Sequence, residues 1–143
     1  MSTRTVVVTT SGVKYVQDVA IGPHALHVDE PEAAGGRDAG PSPYELLLAA
    51  LGTCTAITVQ MYADRRQWPL RSVNARLAHA RNHADDCAQC TTASPRLDRI
   101  VLELSLEGDL SDEQRRRLID VAARCPVHNT LAAPISINMR ERM

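Results

Sequence analysis

The sequence predicts an α+β domain with its elements in the order β-β-β-α-β-β-α-β. Three observations predict this class. Short segments rich in Val and Thr come first, a long apolar segment with a helix cap follows, and two segments of alternating apolar and polar residues precede a second helix. The chain has 143 residues, which is enough to bury a substantial core, and we expect a single domain over residues 1–143.

The N-terminal part is expected to form an antiparallel meander of three short strands: residues 4–10, 13–21 and 24–29. Turn residues separate these segments, with Gly12 in the first turn and Gly22 in the second. Residues 31–41 then form a loop rich in Gly and Pro around Arg37. This loop is either a flexible connection or a functional loop beside the long helix.

The long helix is expected over residues 42–64. Ser42 is a good N-cap, Pro43 suits the first helical position, and Glu45 completes a capping box with Ser42. Apolar side chains lie on nearly all faces, which is typical of a buried central helix. Cys54 lies about three turns into this helix and is either a small core residue or a placed nucleophile.

The second half of the chain is expected to contain three more strands and one more helix. Residues 71–80 and 99–107 alternate and should pair across the irregular segment between them. The second helix, over residues 109–124, has a capping box at Ser111 and Gln114. The last strand is expected at residues 133–139, with its two Ile side chains facing the core.

A second cysteine lies next to a proline, in Cys125-Pro126-Val127-His128. Because a residue before proline is disfavoured in the helical region, the second helix should end near Cys125. The thiol would then lie at a helix C-terminus, where the helix dipole disfavours a thiolate. By this criterion Cys125 is a poorer attacking group than Cys54 and a better resolving partner. His128 could carry protons near the pair or be an ordinary polar residue after a turn.

Composition excludes several functional classes. The net charge is −1 and no basic stripe is present, so we expect no nucleic-acid partner. The longest apolar run, residues 46–51, is far shorter than the roughly 18 residues that cross a membrane. The N-terminus lacks the apolar core of a signal peptide, so the expected location is the cytoplasm. In that compartment, four cysteines indicate redox or metal chemistry.

Residues 40–59, GPSPYELLLAALGTCTAITV, followed by the Cys-Pro-Val-His at 125–128, resemble the OsmC/Ohr family of thiol-dependent peroxidases, the osmotically inducible and organic hydroperoxide resistance proteins. The resemblance covers nearly the whole chain. It implies an OsmC-like fold and an intertwined homodimer with both active sites at the interface. It also implies an antioxidant role in which organic hydroperoxides are reduced without a cofactor.

In the chemistry that the resemblance implies, the Cys54 thiolate attacks the peroxide and becomes a sulfenic acid. Cys125 then condenses with it to a disulfide. A lipoyl-type or other dithiol reduces the disulfide. The family also uses an arginine and a glutamate at the site. Our candidates for these roles are Arg37, with Arg4 next, and Glu45, although solvated charges and the capping box explain the same residues.

This sequence departs from the family pattern at one position. The glutamate of the peroxidases directly follows the proline that starts the helix, and that position is Tyr44 here. The departure keeps open an alternative function, a small-ligand or zinc-binding protein with the OsmC fold and without efficient peroxidase activity. A pKa of Cys54 at or above that of a free thiol would favour this alternative.

A second cluster of potential ligands lies between the two alternating strands: His79, His83, Cys87 and Cys90. A Cys-x2-Cys pair with two nearby histidines is a reasonable set of ligands for a tetrahedral structural zinc. The alternatives are a disulfide between the two cysteines, a second redox pair, or an ordinary polar loop.

Overall fold

The computed structural model describes residues 4–83 and 96–142, and it confirms the α+β class with antiparallel sheets. Side chains are described over 4–80 and 98–142. The chain divides into two compact units, Met1–Leu47 and Leu48–Met143. The N-terminal unit contains a three-stranded meander, and the C-terminal unit contains a long hairpin and the helices.

The meander consists of β1 (Val6–Thr10), β2 (Gln17–Ile21) and β3 (His24–Val28), all antiparallel. β1 pairs with β2 from Val6 opposite Ile21, and β2 pairs with β3 from Gln17 opposite Val28. The three expected N-terminal strands are therefore confirmed, with bounds that are shorter by one to four residues at some ends.

The loop after β3 is organised around the buried carboxylate of Asp29, which is 1% exposed. One carboxylate oxygen accepts the backbone N–H of Glu30 at 2.8 Å, and the other accepts those of Arg37 at 2.9 Å and Ala39 at 3.2 Å. Burial raises the pKa of Asp29, but these three N–H groups and the charge of Arg37 lower it more, so its net pKa lies below the ordinary value. Specific hydrogen bonds thus define the structure of this loop. The sequence alone did not show that these bonds form.

The long helix, α1, spans Pro43–Arg66 and begins with the expected capping box. The Ser42 hydroxyl accepts the N–H of Glu45 at 3.3 Å, and the Glu45 carboxylate accepts the N–H of Ser42 at 3.2 Å. By length and composition α1 could cross a membrane, with a mean hydropathy of 1.6 over its most apolar window. Core helices of soluble proteins also meet that criterion.

The expectation that α1 is buried on nearly all sides is wrong for the single chain. One face is buried: Leu51, Gly52, Thr55, Val59 and Ala63. On another face Ile57 is 54% exposed and Met61 is 50% exposed. The apolar pattern predicts a helix that avoids water, but the described chain covers only part of its circumference.

The hairpin consists of β4 (Leu70–His83) and β5 (Arg96–Gly108), paired from Leu70 opposite Gly108 to His83 opposite Arg96. The expected pairing is confirmed and the strands are longer than predicted. The partly buried apolar side chains alternate along both strands as the sequence indicates. This inner face packs against the core of the C-terminal unit.

Helix α2 spans Asp112–Ala122 and has the expected capping box, in which Ser111 and Gln114 exchange hydrogen bonds of 2.9 and 3.1 Å. The core joins α1 to α2 through four buried residues: Val59, Ala63, Leu118 and Ala122. Side chains from the hairpin, together with Tyr62 and Trp68, pack around them. This packing fixes α2 beside the C-terminal half of α1.

The C-terminal region differs from the prediction in two ways. A third helix, α3, spans Pro126–Ala132, and the expected strand over residues 133–139 is absent from the described chain. Ile135 is 54% exposed and Ile137 is 85% exposed, so neither faces a core. A strand requires a hydrogen-bonded neighbour, and no described strand of the same chain pairs with this segment.

Candidate active site

Two thiols from distant parts of the sequence meet in the C-terminal unit. Cys54 projects from α1 and is partly exposed, whereas Cys125, between α2 and α3, is fully buried. Both are free thiols, and each shifts the pKa of the other, so the two side chains are close neighbours. The arrangement makes Cys54 accessible to a small reactant and holds Cys125 behind it.

Cys125 is the N-cap of α3, which corrects its expected position at a helix C-terminus. Its backbone is extended, with φ −62° and ψ 141°, and Pro126 occupies the first helical turn. Its sulfur accepts the backbone N–H of His128 at 3.2 Å. A residue before proline avoids the helical region and adopts an extended backbone. An extended backbone also suits the N-cap of a following helix, and proline suits the first position of that helix. The sequence motif therefore begins a helix here, after α2 has ended at Ala122.

This geometry decides which sulfur carries the negative charge. Burial raises the pKa of Cys125, but the N–H of His128, the Cys54 thiol, the Thr55 hydroxyl and the N–H of Val127 lower it more, so its pKa is lowered overall. Burial raises the pKa of Cys54, and although the N–H of Val127 opposes this, the neighbouring Cys125 raises it further. The expectation that Cys125 is the poorer thiolate is therefore wrong. The hydrogen bonds from the His128 N–H and the Thr55 hydroxyl therefore favour the negative charge on the buried sulfur.

A buried hydroxyl that sequence reasoning missed also contacts the pair. Thr55 is 1% exposed, and its Oγ1 lies 2.8 Å from the carbonyl oxygen of Leu51 and 3.7 Å from Sγ of Cys125. A hydroxyl has one proton to donate and two lone pairs that accept. Thr55 can therefore accept a thiol proton from Cys125 or donate to its thiolate. The available signal was a hydroxyl within the apolar stripe of α1, because a buried hydroxyl needs a partner.

Comparison with known proteins identifies the family. The family model described as OsmC-like protein matches residues 35–140. The chain belongs to the OsmC-like family. The comparison with curated proteins found no match.

Solved structures of OsmC-like proteins have the same fold. An OsmC-like protein of Mycoplasma pneumoniae is 19% identical, with 92% of this chain and 88% of that chain covered and a TM-score of 0.73. The organic hydroperoxide resistance protein OsmC of Legionella pneumophila is 17% identical, with 92% and 91% covered and a TM-score of 0.65. An organic hydroperoxide resistance protein of Elizabethkingia anophelis is 16% identical, with 90% and 87% covered and a TM-score of 0.64. At these identities the likeness establishes the fold.

The charged residues expected in an OsmC-like site lie in the N-terminal unit. Glu45 is exposed and forms the capping box with Ser42. Arg37 is exposed, and its backbone N–H binds Asp29. Arg4 is also exposed, and Tyr44 is 47% exposed. These contacts explain the local structure at Arg37 and Glu45, and a role for either residue beside the thiols stays a prediction.

The expected metal cluster is described only in part. His79 Nε2 lies 2.9 Å from Oδ1 of Asp98 across the hairpin. The backbone of His83 pairs with that of Arg96, while Cys87 and Cys90 lie outside the described residues. Among the described residues, no group of three His, Cys, Asp or Glu side chains could hold a metal ion. The zinc site, and the disulfide and redox alternatives to it, stay predictions.

Proposed function

We propose that this OsmC-like protein is a thiol peroxidase that reduces organic hydroperoxides with Cys54 and Cys125. The observation that carries the proposal is the adjacency of a partly exposed thiol and a buried thiol whose pKa is lowered. Two of the structural neighbours are organic hydroperoxide resistance proteins, which supports the choice of substrate class. The reductant that we propose is a lipoyl-type or other dithiol, and the proposed location is the cytoplasm.

The two thiols take different roles because they differ in exposure and in ionisation. A peroxide can reach the partly exposed Cys54, and in this proposal the neighbouring Cys125 thiolate takes the Cys54 proton. The Cys54 sulfur attacks one peroxide oxygen, the O–O bond breaks, and the leaving alkoxide takes the proton from the Cys125 thiol to become an alcohol, which restores the Cys125 thiolate. Cys54 is thereby oxidised to a sulfenic acid.

The second step joins the two sulfurs. Sγ of Cys125 attacks Sγ of the Cys54 sulfenic acid, the S–O bond breaks, and the departing hydroxide leaves as water after taking up a proton. The product is a Cys54–Cys125 disulfide, which the dithiol reduces by two thiol–disulfide exchanges. The hydrogen bonds that stabilise Cys125 as a thiolate favour this step, because the attacking form of a thiol is the thiolate.

Intact-protein mass spectrometry tests the mechanism directly. After one equivalent of cumene hydroperoxide, the wild type should lose about 2 Da, and peptide mapping should find a Cys54–Cys125 bridge. Cys125→Ser should instead gain about 16 Da on Cys54 as a trapped sulfenic acid. Cys54→Ser should not change within the same time. A wild type that remains reduced for minutes would contradict the proposal.

Two observations favour the second candidate function, a ligand-binding protein of the OsmC fold without efficient peroxidase activity. The pKa of Cys54 is raised by burial and by Cys125, and Tyr44 occupies the position of the family glutamate. The raised pKa reduces the thiolate population at the partly exposed sulfur, and Tyr44 is a departure from the family pattern. The same mass measurement separates the two functions, because rapid oxidation at Cys54 excludes the second candidate and an inert wild type favours it.

We also propose that the protein is a homodimer in which a second copy covers the open face of α1. Ile57 and Met61 are half exposed there, and Ile137 and Met139 of the C-terminal segment are 85% and 95% exposed. Apolar surface of this kind is typical of an interface. Light scattering should give a dimer for the wild type and for Gln60→Glu, which changes a neighbouring exposed position. Met61→Glu should give a monomer, and a dimer that survives this change would contradict this surface as the interface.

A further inference from the structure

A cleft of about 590 Å³ lies in the C-terminal unit, between the end of α1 and α2. Its volume falls within the range of roughly 300–1,000 Å³ that is usual for small-molecule sites. Neither Cys54 nor Cys125 lines it, so the proposed peroxidase chemistry does not use it. The lining consists of aromatic, cationic, acidic and small polar side chains: Tyr62, Arg66, Trp68, Ser111, Glu113, Gln114, Arg116, Arg117 and Asp120.

Arginines gather around the phenol of Tyr62. Nε of Arg117 donates a hydrogen bond of 2.9 Å to the Tyr62 hydroxyl, and the guanidinium of Arg66 lies 5.1 Å from the centre of the ring. The hydrogen bond from Arg117 lowers the pKa of Tyr62, and although burial opposes this, the charges of Arg117, Arg66 and Arg124 lower it further. The lowered pKa agrees with the positions of the arginines, and both indicate a positive potential around the Tyr62 hydroxyl.

The positive charge is not neutralised by contact with the acidic lining residues. Asp120 raises the pKa of Arg117 electrostatically. Among residues with described side chains, however, no carboxylate oxygen lies within the 4.0 Å of an ion pair from Arg66, Arg116 or Arg117. Guanidinium groups match carboxylates well, because their planar fork can donate two parallel hydrogen bonds. A carboxylate that enters the cleft would therefore meet cations that are still able to bind it.

The aromatic wall of the cleft is held in place by the core. Tyr62 and Trp68 are in a T-shaped arrangement, with ring centres 5.6 Å apart and an angle of 69° between the planes. Both pack against the buried cluster that includes Val59 and Leu118. Such rings offer a preorganised apolar surface to a flat ligand, and aromatic pairs favour edge and offset contacts.

From these observations we propose that the cleft binds a small aromatic carboxylate. The carboxylate would lie against the guanidinium groups of Arg116 and Arg117, and the ring would lie against Trp68. Arg66, whose guanidinium lies 5.1 Å from the centre of the Tyr62 ring, contributes further positive charge. This site is independent of the two thiols, so it can exist whether or not the protein reduces peroxides.

Trp68 provides the assay because it is the only tryptophan of the chain. Titration with benzoate should change its fluorescence in a saturable way, with a dissociation constant on the order of 1 mM or lower. Benzamide, which has a similar shape without the charge, should bind at least about tenfold more weakly, as expected for the loss of a charged hydrogen bond. Inorganic phosphate tests whether any anion is sufficient, and because it has no ring to lie against Trp68 it should also bind at least about tenfold more weakly.

Substitutions locate the site on the protein. Arg116→Gln should weaken benzoate binding about tenfold, and this exposed position carries no core contact among those described, so the fold should persist. Arg65→Gln removes an exposed arginine at the end of α1 that does not line the cleft, and it should bind as the wild type does. Arg117→Gln also removes the bond to Tyr62, so its effect is interpreted only together with its circular dichroism spectrum.

Three outcomes would overturn the proposal. These are a fluorescence change that does not saturate, equal binding of benzoate and benzamide, or equal weakening by Arg65→Gln and Arg116→Gln. Phosphate binding as tight as that of benzoate would show a simple anion site and would refute the aromatic part. Disulfide formation in Arg116→Gln should match the wild type, which separates this result from the test of the peroxidase mechanism.

Discussion

Thr55→Val is expected to slow disulfide formation in a way that depends on pH. Thr55 Oγ1 lies 3.7 Å from Sγ of Cys125 and 2.8 Å from the carbonyl oxygen of Leu51. While Cys125 is a thiol, it can donate to Oγ1 and the hydroxyl donates to Leu51. When Cys125 becomes a thiolate, the hydroxyl can rotate and donate to the sulfur. Valine has nearly the same shape and offers no proton, so the variant should stabilise the thiolate less.

The size of the effect follows from the contacts at the sulfur. A hydrogen bond to a charged group contributes about 1.5–3 kcal/mol. The lower end of that range is expected for two reasons. The Thr55 contact is long, and the backbone N–H of His128 already donates to Sγ of Cys125 at 3.2 Å. Since about 1.4 kcal/mol corresponds to a factor of ten, the thiolate population should fall roughly tenfold where the thiol form dominates. Folding stability should change little, because the Leu51 carbonyl also lies in the hydrogen-bond ladder of α1.

Stopped-flow oxidation by diamide measures disulfide formation without a peroxide, so the assay is independent of the peroxidase proposal. At neutral pH, Thr55→Val should react roughly tenfold more slowly than the wild type, and the two rates should converge at a pH at which Cys125 is ionised in both. Thr55→Ser retains the hydroxyl and should behave as the wild type. Thr53→Val changes an exposed threonine of the same helix, whose hydroxyl donates to Ala49, and serves as the matched control.

Two results would refute this reasoning. A rate ratio that stays constant across pH would indicate a change in packing rather than in ionisation. A Thr55→Ser variant as slow as Thr55→Val would show that the hydroxyl does not act on Cys125.

Three other substitutions test the fold, each by denaturation. Asp29→Asn replaces an acceptor oxygen by a donor facing backbone N–H groups, so its melting temperature should fall at neutral pH. Because the pKa of Asp29 is lowered, the carboxylate stabilises the fold above the ordinary pKa of 3.8, and this stabilisation is lost as the pH falls through the lowered value. Asp29→Asn should therefore lose less stability in acid than the wild type. An identical dependence of melting temperature on pH in the two proteins would contradict this role of Asp29. Gly40→Ala would place a Cβ against the carbonyl group of His27, so the free energy of unfolding should fall by about 1–3 kcal/mol. An unchanged urea midpoint would show that the loop adapts. Leu118→Ala should lower the free energy of unfolding by about 2–5 kcal/mol because Leu118 is fully buried. Ile119→Ala, at a position that is 46% exposed, should lower it clearly less. Equal losses in the two variants would contradict the assigned core.

The elements that sequence reasoning predicted correctly depend on local signals. The capping boxes at Ser42 and Ser111 involve residues three apart, and the alternation in β4 and β5 has a period of two. Such patterns specify helix starts and strand faces without knowledge of the rest of the chain. The cysteine beside Pro126 shows the limit, because a residue before proline can end one helix or cap the next.

The failed expectations depend on neighbours that the sequence does not specify. The apolar faces of α1 predicted burial, but burial also needs elements that cover each face, and Ile57 has none in the described chain. The segment around Ile137 has the alternation of a strand, yet a strand forms only where another strand accepts its hydrogen bonds. Asp29 is the last residue of the expected strand 24–29, and only the path of the following loop makes it a buried acceptor of three N–H groups.

The sequence by itself determined the fold class, the family and the two cysteines on which the proposed chemistry depends. Only the tertiary structure decided which of them holds the negative charge. An isolated thiol ionises according to its own chemistry, whereas Cys125 is stabilised as a thiolate by the N–H of His128 and by Thr55, which is 70 residues away in sequence. The physical reason is that a pKa is set by the donors, charges and solvent that surround a group, and folding brings these together.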